Sequence, residues 1–211
     1  MAQRSSAHNH WKPIMTLTGQ GQITAAPDLA VIRLGVETTG YNLAQIQSEN
    51  AQISQMVIEL IQEAGNAEVR TADYSIERIS QYENGNQIDK GYSVKHILEI
   101  TTEDIESTGE IIDMAVRMGA NVVESISFGL SDPELFYQKA LNLAVDNAIE
   151  KSQSISGNLR VRIDPIPVRI VEAGHSPSPL LRFQRDAAAT PITPGELTIE
   201  AVVTADFIYS S

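Results

Sequence analysis

Two glycines stand one residue apart in the stretch LTGQGQITAAPD, at Gly19 and Gly21. A G-x-G spacing does chemistry when it opens a helix, because backbone N–H groups and the positive end of the helix dipole then meet a phosphate. That arrangement needs a third glycine and a helix directly after the loop. Here Gly21 leads into Gln-Ile-Thr-Ala-Ala-Pro-Asp and then a second alternating segment, and no G-x-x-x-x-G-K-[ST] occurs anywhere. Gly19 and Gly21 share a period-two face with Leu17 and Ile23. The spacing therefore predicts a strand with a side-chain-free patch over which another element packs closely.

The remaining reactive residue types form no convergent pattern. The chain has no cysteine, which excludes thiol catalysis, disulfides and thiolate metal sites. Of its histidines, His8 and His10 lie in a polar N-terminal stretch, His96 falls on the apolar face of a strand, and His175 stands in a loop without a companion acid. No H-E-x-x-H, G-x-S-x-G or calcium-loop spacing occurs, so zinc, acyl-transfer and calcium chemistry have no footing, and no cofactor is expected. The acids cluster where helices begin: Glu103, Asp104 and Glu106 before one, Asp132 and Glu134 before another. Acids there complement the helix dipole, which explains them without catalysis.

A net charge of −12 argues against nucleic acid as a partner, since that needs a basic face, and against anionic lipid. No apolar run reaches the length of about 18–20 residues that spans a bilayer, so no membrane insertion is expected. The N-terminus has no apolar core of a signal peptide. The expectation is a cytoplasmic protein, with a periplasmic or other extracytoplasmic location as the alternative if an export signal has been removed.

The elements that must position these residues are well marked. Residues 1–13 read as a disordered tail, and 14–211 as a single domain. Thr16–Thr24 and Ala30–Glu37 alternate on either side of Ala-Ala-Pro-Asp, predicting an antiparallel hairpin. Asn42 is placed to cap a helix carrying Leu43, Ile46, Ile53, Val57, Leu60 and Ala64, with Gly65 as its stop. A second hairpin follows, with Tyr74 and Ile76 before Asn84-Gly85, then Tyr92, Val94, His96, Leu98 and Ile100. Thr102 is read as the cap of a helix running to about Met118. Val122, Glu124, Ile126, Phe128 and Leu130 form the next strand by alternation. Ser-Asp-Pro-Glu opens a helix to Gly157 that carries Leu135, Leu143, Val145, Ala148, Ile149 and Ile155. Ile166–Val171 is extended, and Leu197–Tyr209 closes the chain as a long alternating strand. The order ββ-α-ββ-α-β-α-β-β predicts an α+β fold, three main helices on largely antiparallel sheet.

Residues 174–195 form a long Pro- and Ser-punctuated loop. Loops of this length inside a compact domain are usually functional or disordered. Leu180, Leu181, Arg182, Phe183 and Arg185 make it apolar and basic within an acidic chain, the pattern either of a flap whose apolar residues fold back on their own domain or of a contact between identical subunits.

These stretches together resemble the SIMPL-domain family, known through bacterial periplasmic immunogenic proteins, oxidative-stress defence proteins and a mammalian kinase-interacting signalling protein. The resemblance is carried by Gly19, Gly21, Pro27 and Asp28, the Asn50 helix ending at Ala64-Gly65, and Arg70-Thr71. Gly91-Tyr92, Gly119-Ala120, Phe128-x-Leu130-Ser131-Asp132 and the Ala140, Ala144, Ala148 helix complete it, over about residues 14 to 209. It implies an α+β unit related to paired BON-like halves, homo-oligomers in the bacterial envelope and a link to stress tolerance. It implies no catalytic residues. The expected function is thus a non-enzymatic, self-assembling protein. A small-molecule binder or hydrolase with a pocket near His96, and an adaptor that binds other proteins, are the alternatives.

Overall fold

The computed structural model describes residues 13–65, 67–83, 86–174, 181–183 and 195–210. In chain order the elements are β1 (Ile14–Ala25), β2 (Leu29–Gly40), α1 (Leu43–Ala64), β3 (Glu68–Glu83), β4 (Asn86–Thr102), α2 (Thr108–Arg117), β5 (Val122–Gly129), α3 (Pro133–Leu159), β6 (Arg162–Ile163), β7 (Arg169–Glu172), β8 (Leu181–Phe183) and β9 (Leu197–Ser210). This is the α+β fold and the element order that the periodicity predicts, with the short strands β6 and β8 added. The chain divides into two compact units: Met1–Ala25 with Asp132–Ser178 and Thr198–Ser211, and Ala26–Ser131 with Pro179–Leu197.

The second of these units is a five-stranded sheet in the order β3-β4-β2-β5-β8. β2 lies antiparallel between β4 and β5, with Ile32 opposite Ile100 and Leu34 opposite Leu98. These side chains form a core with Val57 and Ile61 of α1 and Ile111, Ile112 and Ala115 of α2. α1 starts and stops where its sequence says. Asn42 accepts a hydrogen bond from the N–H of Gln45, and Gly65 at φ 73° takes the left-handed turn that ends the helix. Its inner face is less apolar than the spacing suggests, because Asn50 and Ser54 are buried on it.

Three expectations need correction here. Thr102 ends β4 and does not cap α2. Asp104 caps a short 3-10 turn at Ile105–Ser107, and α2 begins after it at Thr108. Glu124 does not face the core, because the β2–β5 register shifts between Arg33 and Leu34. That bulge turns Val123 onto the core and leaves Glu124 exposed. Residues 174–195 are not a loop throughout, since Leu181–Phe183 pair antiparallel with Ile126–Phe128 of β5.

The first unit is a sheet in the order β1-β9-β6, with β7 also paired to β9, and with α3 against β1. Asp132 caps α3, accepting from the N–H of Leu135, and Pro133 sits in the first turn. α3 runs past Gly157 to Leu159, where Arg160 takes the left-handed conformation at φ 56°. Its buried residues are Tyr137, Ala140, Ala144, Ala148, Ser152 and Ser156, mostly four apart. Leu135 and Leu143 are instead 45% and 44% exposed. The reason lies in β1, whose glycines let the helix backbone come so close that only small side chains fit between them.

Residues 1–12 lie outside the described residues, and with them His8 and His10. The carbonyl of Pro13 accepts from the N–H of Tyr209. Among the described residues no helix is long and apolar enough to cross a membrane.

Candidate functional site

The G-x-G is where the first unit is most tightly built. A Cβ added at Gly19 would lie 1.9 Å from the carbonyl oxygen of Ala144, and one at Gly21 2.0 Å from that of Ala140. The middle of α3, not its N-terminus, stands over the glycines, so the dipole end that would hold a phosphate is elsewhere. The same helix covers the edge of β1. Asn147 Oδ1 accepts from the N–H of Gln20 at 3.1 Å, and Lys151 Nζ donates to the carbonyl of Thr18 at 2.8 Å.

The other signature residues are also placed structurally. Asp28 accepts from the N–H of Ser131 at 2.6 Å and from its hydroxyl at 2.8 Å, and its own N–H donates to Gly129 at 3.1 Å. It thereby fastens the start of β2, just after Pro27, to the end of β5. Gly91 has φ 89°, and a Cβ there would come within 2.4 Å of the Gly40 carbonyl oxygen, while Tyr92 pairs with Gly40.

His96 is half-buried, opposite Val36 on β2 and Tyr74 on β3. Its Nε2 lies 3.0 Å from the hydroxyl of Thr71, and its ring meets Tyr74 edge-on with centroids 5.5 Å apart. These neighbours satisfy an imidazole in a partly apolar place. Among the described residues no acid and nucleophile are assembled around it, and no group of three or more His, Asp or Glu is placed to hold a metal.

Burial holds the His96 pKa below the ordinary imidazole value. The folded state then binds fewer protons than the unfolded one. His96 contributes fully above a pH of about 6.5, and that contribution is lost as pH falls towards the depressed folded value. Urea denaturation at pH 7 and pH 5 should show the native chain losing more stability than the His96→Gln variant.

A second titrating contact ties α3 to β7. The Tyr137 hydroxyl donates to Glu172 Oε1 at 2.5 Å. That bond, helped by burial and by the charges of Glu172 and Glu134, pushes the phenol up to about 12. A raised phenol pKa contributes stability in full below the unfolded value of about 10 and loses it as pH climbs through the folded one. Between these limits the native chain should lose stability more steeply than Tyr137→Phe, as read by urea midpoints.

Sequence reasoning missed a charged cluster on the sheet face of the second unit that lies away from the core. Lys95 Nζ meets Glu124 Oε1 at 2.7 Å, Arg33 Nε lies 3.4 Å from Glu124 Oε2, and Ser93 donates to Glu37 at 2.6 Å. The bulge brings Glu124 to this face, so strict alternation could not have found it. Lys95, its hydrogen-bond partner, holds the Glu124 carboxyl below its ordinary range. Lys95 with Glu124 and Ser93 with Glu37 are hydrogen-bonded pairs, whereas Arg33 Nε is buried within ion-pair distance of Glu124 without making a hydrogen bond.

Of the expected subunit contact, Leu181, Arg182 and Phe183 form β8, and Leu180 and Arg185 lie outside the described residues, as does His175.

A family model described as SIMPL, a protein of unknown function (DUF541), matches residues 15–207. The chain is 24% identical over 197 residues to the uncharacterized protein YggE of Escherichia coli K12, covering 92% of this chain and 80% of that one. It is 22% identical over 192 residues to YggE of Edwardsiella ictaluri, covering 89% and 80%. It is 25% identical over 173 residues to the 26 kDa periplasmic immunogenic protein of Brucella melitensis, covering 79% and 69%.

Proposed function

The chain belongs to the SIMPL family, and on that premise we propose that it is a self-assembling protein without catalytic activity of its own. One observation carries the assembly. β4 pairs with β2 only over Tyr92–Thr102, yet it pairs with β3 out to Asn86. The β3–β4 hairpin thus runs on past the end of β2 as a two-stranded ribbon. Two-stranded ribbons are marginal in water. This one leaves large side chains exposed, with Tyr82 74% and Ile88 37% accessible. Tyr82 stands opposite Gln87 and Ile88 opposite Gln81, so each face of the ribbon carries one exposed large side chain, which supports an assembly contact.

The segment Leu180, Leu181, Arg182, Phe183 and Arg185 is a further contact in this reading, supported by its basic and apolar character in a chain of net charge −12. An extracytoplasmic location is also part of it, supported by likeness to a Brucella protein that is named periplasmic. A link to envelope or oxidative stress is the physiological role implied by the family resemblance. Light scattering of the intact chain beside a deletion of residues 176–194 tests the reading. The intact protein is expected to be oligomeric and the deletion smaller. An intact chain that stays monomeric overturns it.

A further inference from the structure

We propose that β3 pairs antiparallel with β3 of a second copy of this chain, about a two-fold axis that passes through Ile76. This rests on the self-assembly reading above and names its surface.

β3 is the outer strand of the five-stranded sheet and spans Glu68–Glu83, 16 residues. Among the described residues nothing bonds to its far edge, whereas Asn147 and Lys151 cover the edge of β1. A long strand edge with free N–H and C=O groups is a template for another strand. It is not blunted by proline, and it carries Tyr74 at 47% and Ile76 at 41% exposure. Tyr74 is already held in place by the His96 ring and by Gln47, which donates to its hydroxyl at 3.3 Å. Little side-chain freedom remains to be lost on pairing.

The register follows from the strand. The β3–β4 ladder shifts between Thr71 and Asp73 and again between Ile79 and Ser80, so the regular run is Asp73–Ile79, with Ile76 at its centre. An axis at Ile76 pairs the whole run with itself: Ile76 with Ile76, Ser75 with Glu77, Tyr74 with Arg78, Asp73 with Ile79. No like charges meet, and each Tyr74 is set opposite Arg78 of the other copy, whose guanidinium already bonds Asp89 of its own chain. Moving the axis to Ser75 sets Asp73 against Glu77, and moving it to Glu77 sets that carboxylate against its own copy. Axes at Asp73 and Arg78 likewise oppose identical charges, and one at Tyr74 opposes Arg70 to Arg78. Ile79 escapes such clashes but sits on the register shift.

The absence of native cysteine makes the test direct, because any disulfide must join two copies. In a hydrogen-bonded antiparallel pair, opposed Cα atoms lie about 5.5 Å apart, within disulfide reach. Two copies of residue 79 would then be about 20 Å apart, six residues along the strands. Mild oxidation of Ile76→Cys is expected to give a covalent dimer and of Ile79→Cys none, with both folded by circular dichroism. Ile76→Lys, which sets two ammonium groups at the axis, should weaken association about tenfold or more without unfolding the chain. Cross-linking at 79 in place of 76 overturns the register. Failure at both positions in a chain that still scatters as an oligomer overturns the surface and leaves self-assembly standing. A native chain that scatters as a monomer removes both.

Discussion

Replacing Gly19 or Gly21 by valine is expected to cost about 3 kcal/mol or more, at the severe end for overpacking, and to leave the first unit without its helix–strand seam. The clash is with backbone, since the Ala144 and Ala140 carbonyl oxygens would lie 1.9 and 2.0 Å from the new Cβ atoms. No rotamer change relieves it, so α3 must lift from β1. Lifting exposes Ala140, Ala144 and Ala148 and breaks the Asn147 and Lys151 bonds to the strand. Even alanine should be costly at either position. At Gly157, within α3, an added Cβ would meet nothing within 4 Å, so Gly157→Ala should instead stabilise by about 0.5–1 kcal/mol through helix propensity alone. Urea midpoints of the three variants check both signs.

The second large effect is expected at Asn50. Its Nδ2 donates to the carbonyls of Val36 and Val94, each at 2.9 Å, and its Oδ1 accepts from Ser54 at 3.4 Å. The side chain is fully buried and joins α1 to two strands at once. Asn50→Asp keeps the shape but turns a two-hydrogen donor into a buried carboxylate facing two carbonyl oxygens. A loss of about 3–5 kcal/mol at neutral pH is expected, the range for an uncompensated buried charge. Burial and the carbonyls raise the pKa of such an aspartate, so its folded form takes up a proton more readily than its unfolded form. The loss should therefore shrink as pH falls, because a protonated carboxyl can again donate one bond. Asn50→Leu should be destabilising without that pH dependence. Denaturation of the two variants at pH 7 and pH 4.5 separates them.

Much of the architecture was legible because local signals agreed with one another. Asn42 and Gly65 bracket an apolar period, Pro27 and Asp28 divide two alternating runs, and Asp132-Pro133-Glu134 opens α3. The misreadings share a cause, in that each depends on a partner distant in sequence. Glu124 reads as a core position until a bulge against Arg33 and Leu34 turns it out. The large apolar residues Leu135 and Leu143 of α3 are exposed, because closeness to Gly19 and Gly21 selects alanine for its inner face. The role of Asn50 is likewise invisible in the helix alone, because the two carbonyls it bonds belong to β2 and β4. Leu181–Phe183 read as loop because three residues carry no period of their own and owe their strand to β5. The glycine pair, where a nucleotide loop was the sharpest chemical possibility, proves to be the seat of a helix.

Self-assembly is tested most directly by light scattering of the intact, untagged chain across a wide concentration range. The expected result is a mass that is a whole multiple of 23.0 kDa and that falls on Ile76→Lys substitution. A mass of 23.0 kDa at every concentration would contradict it.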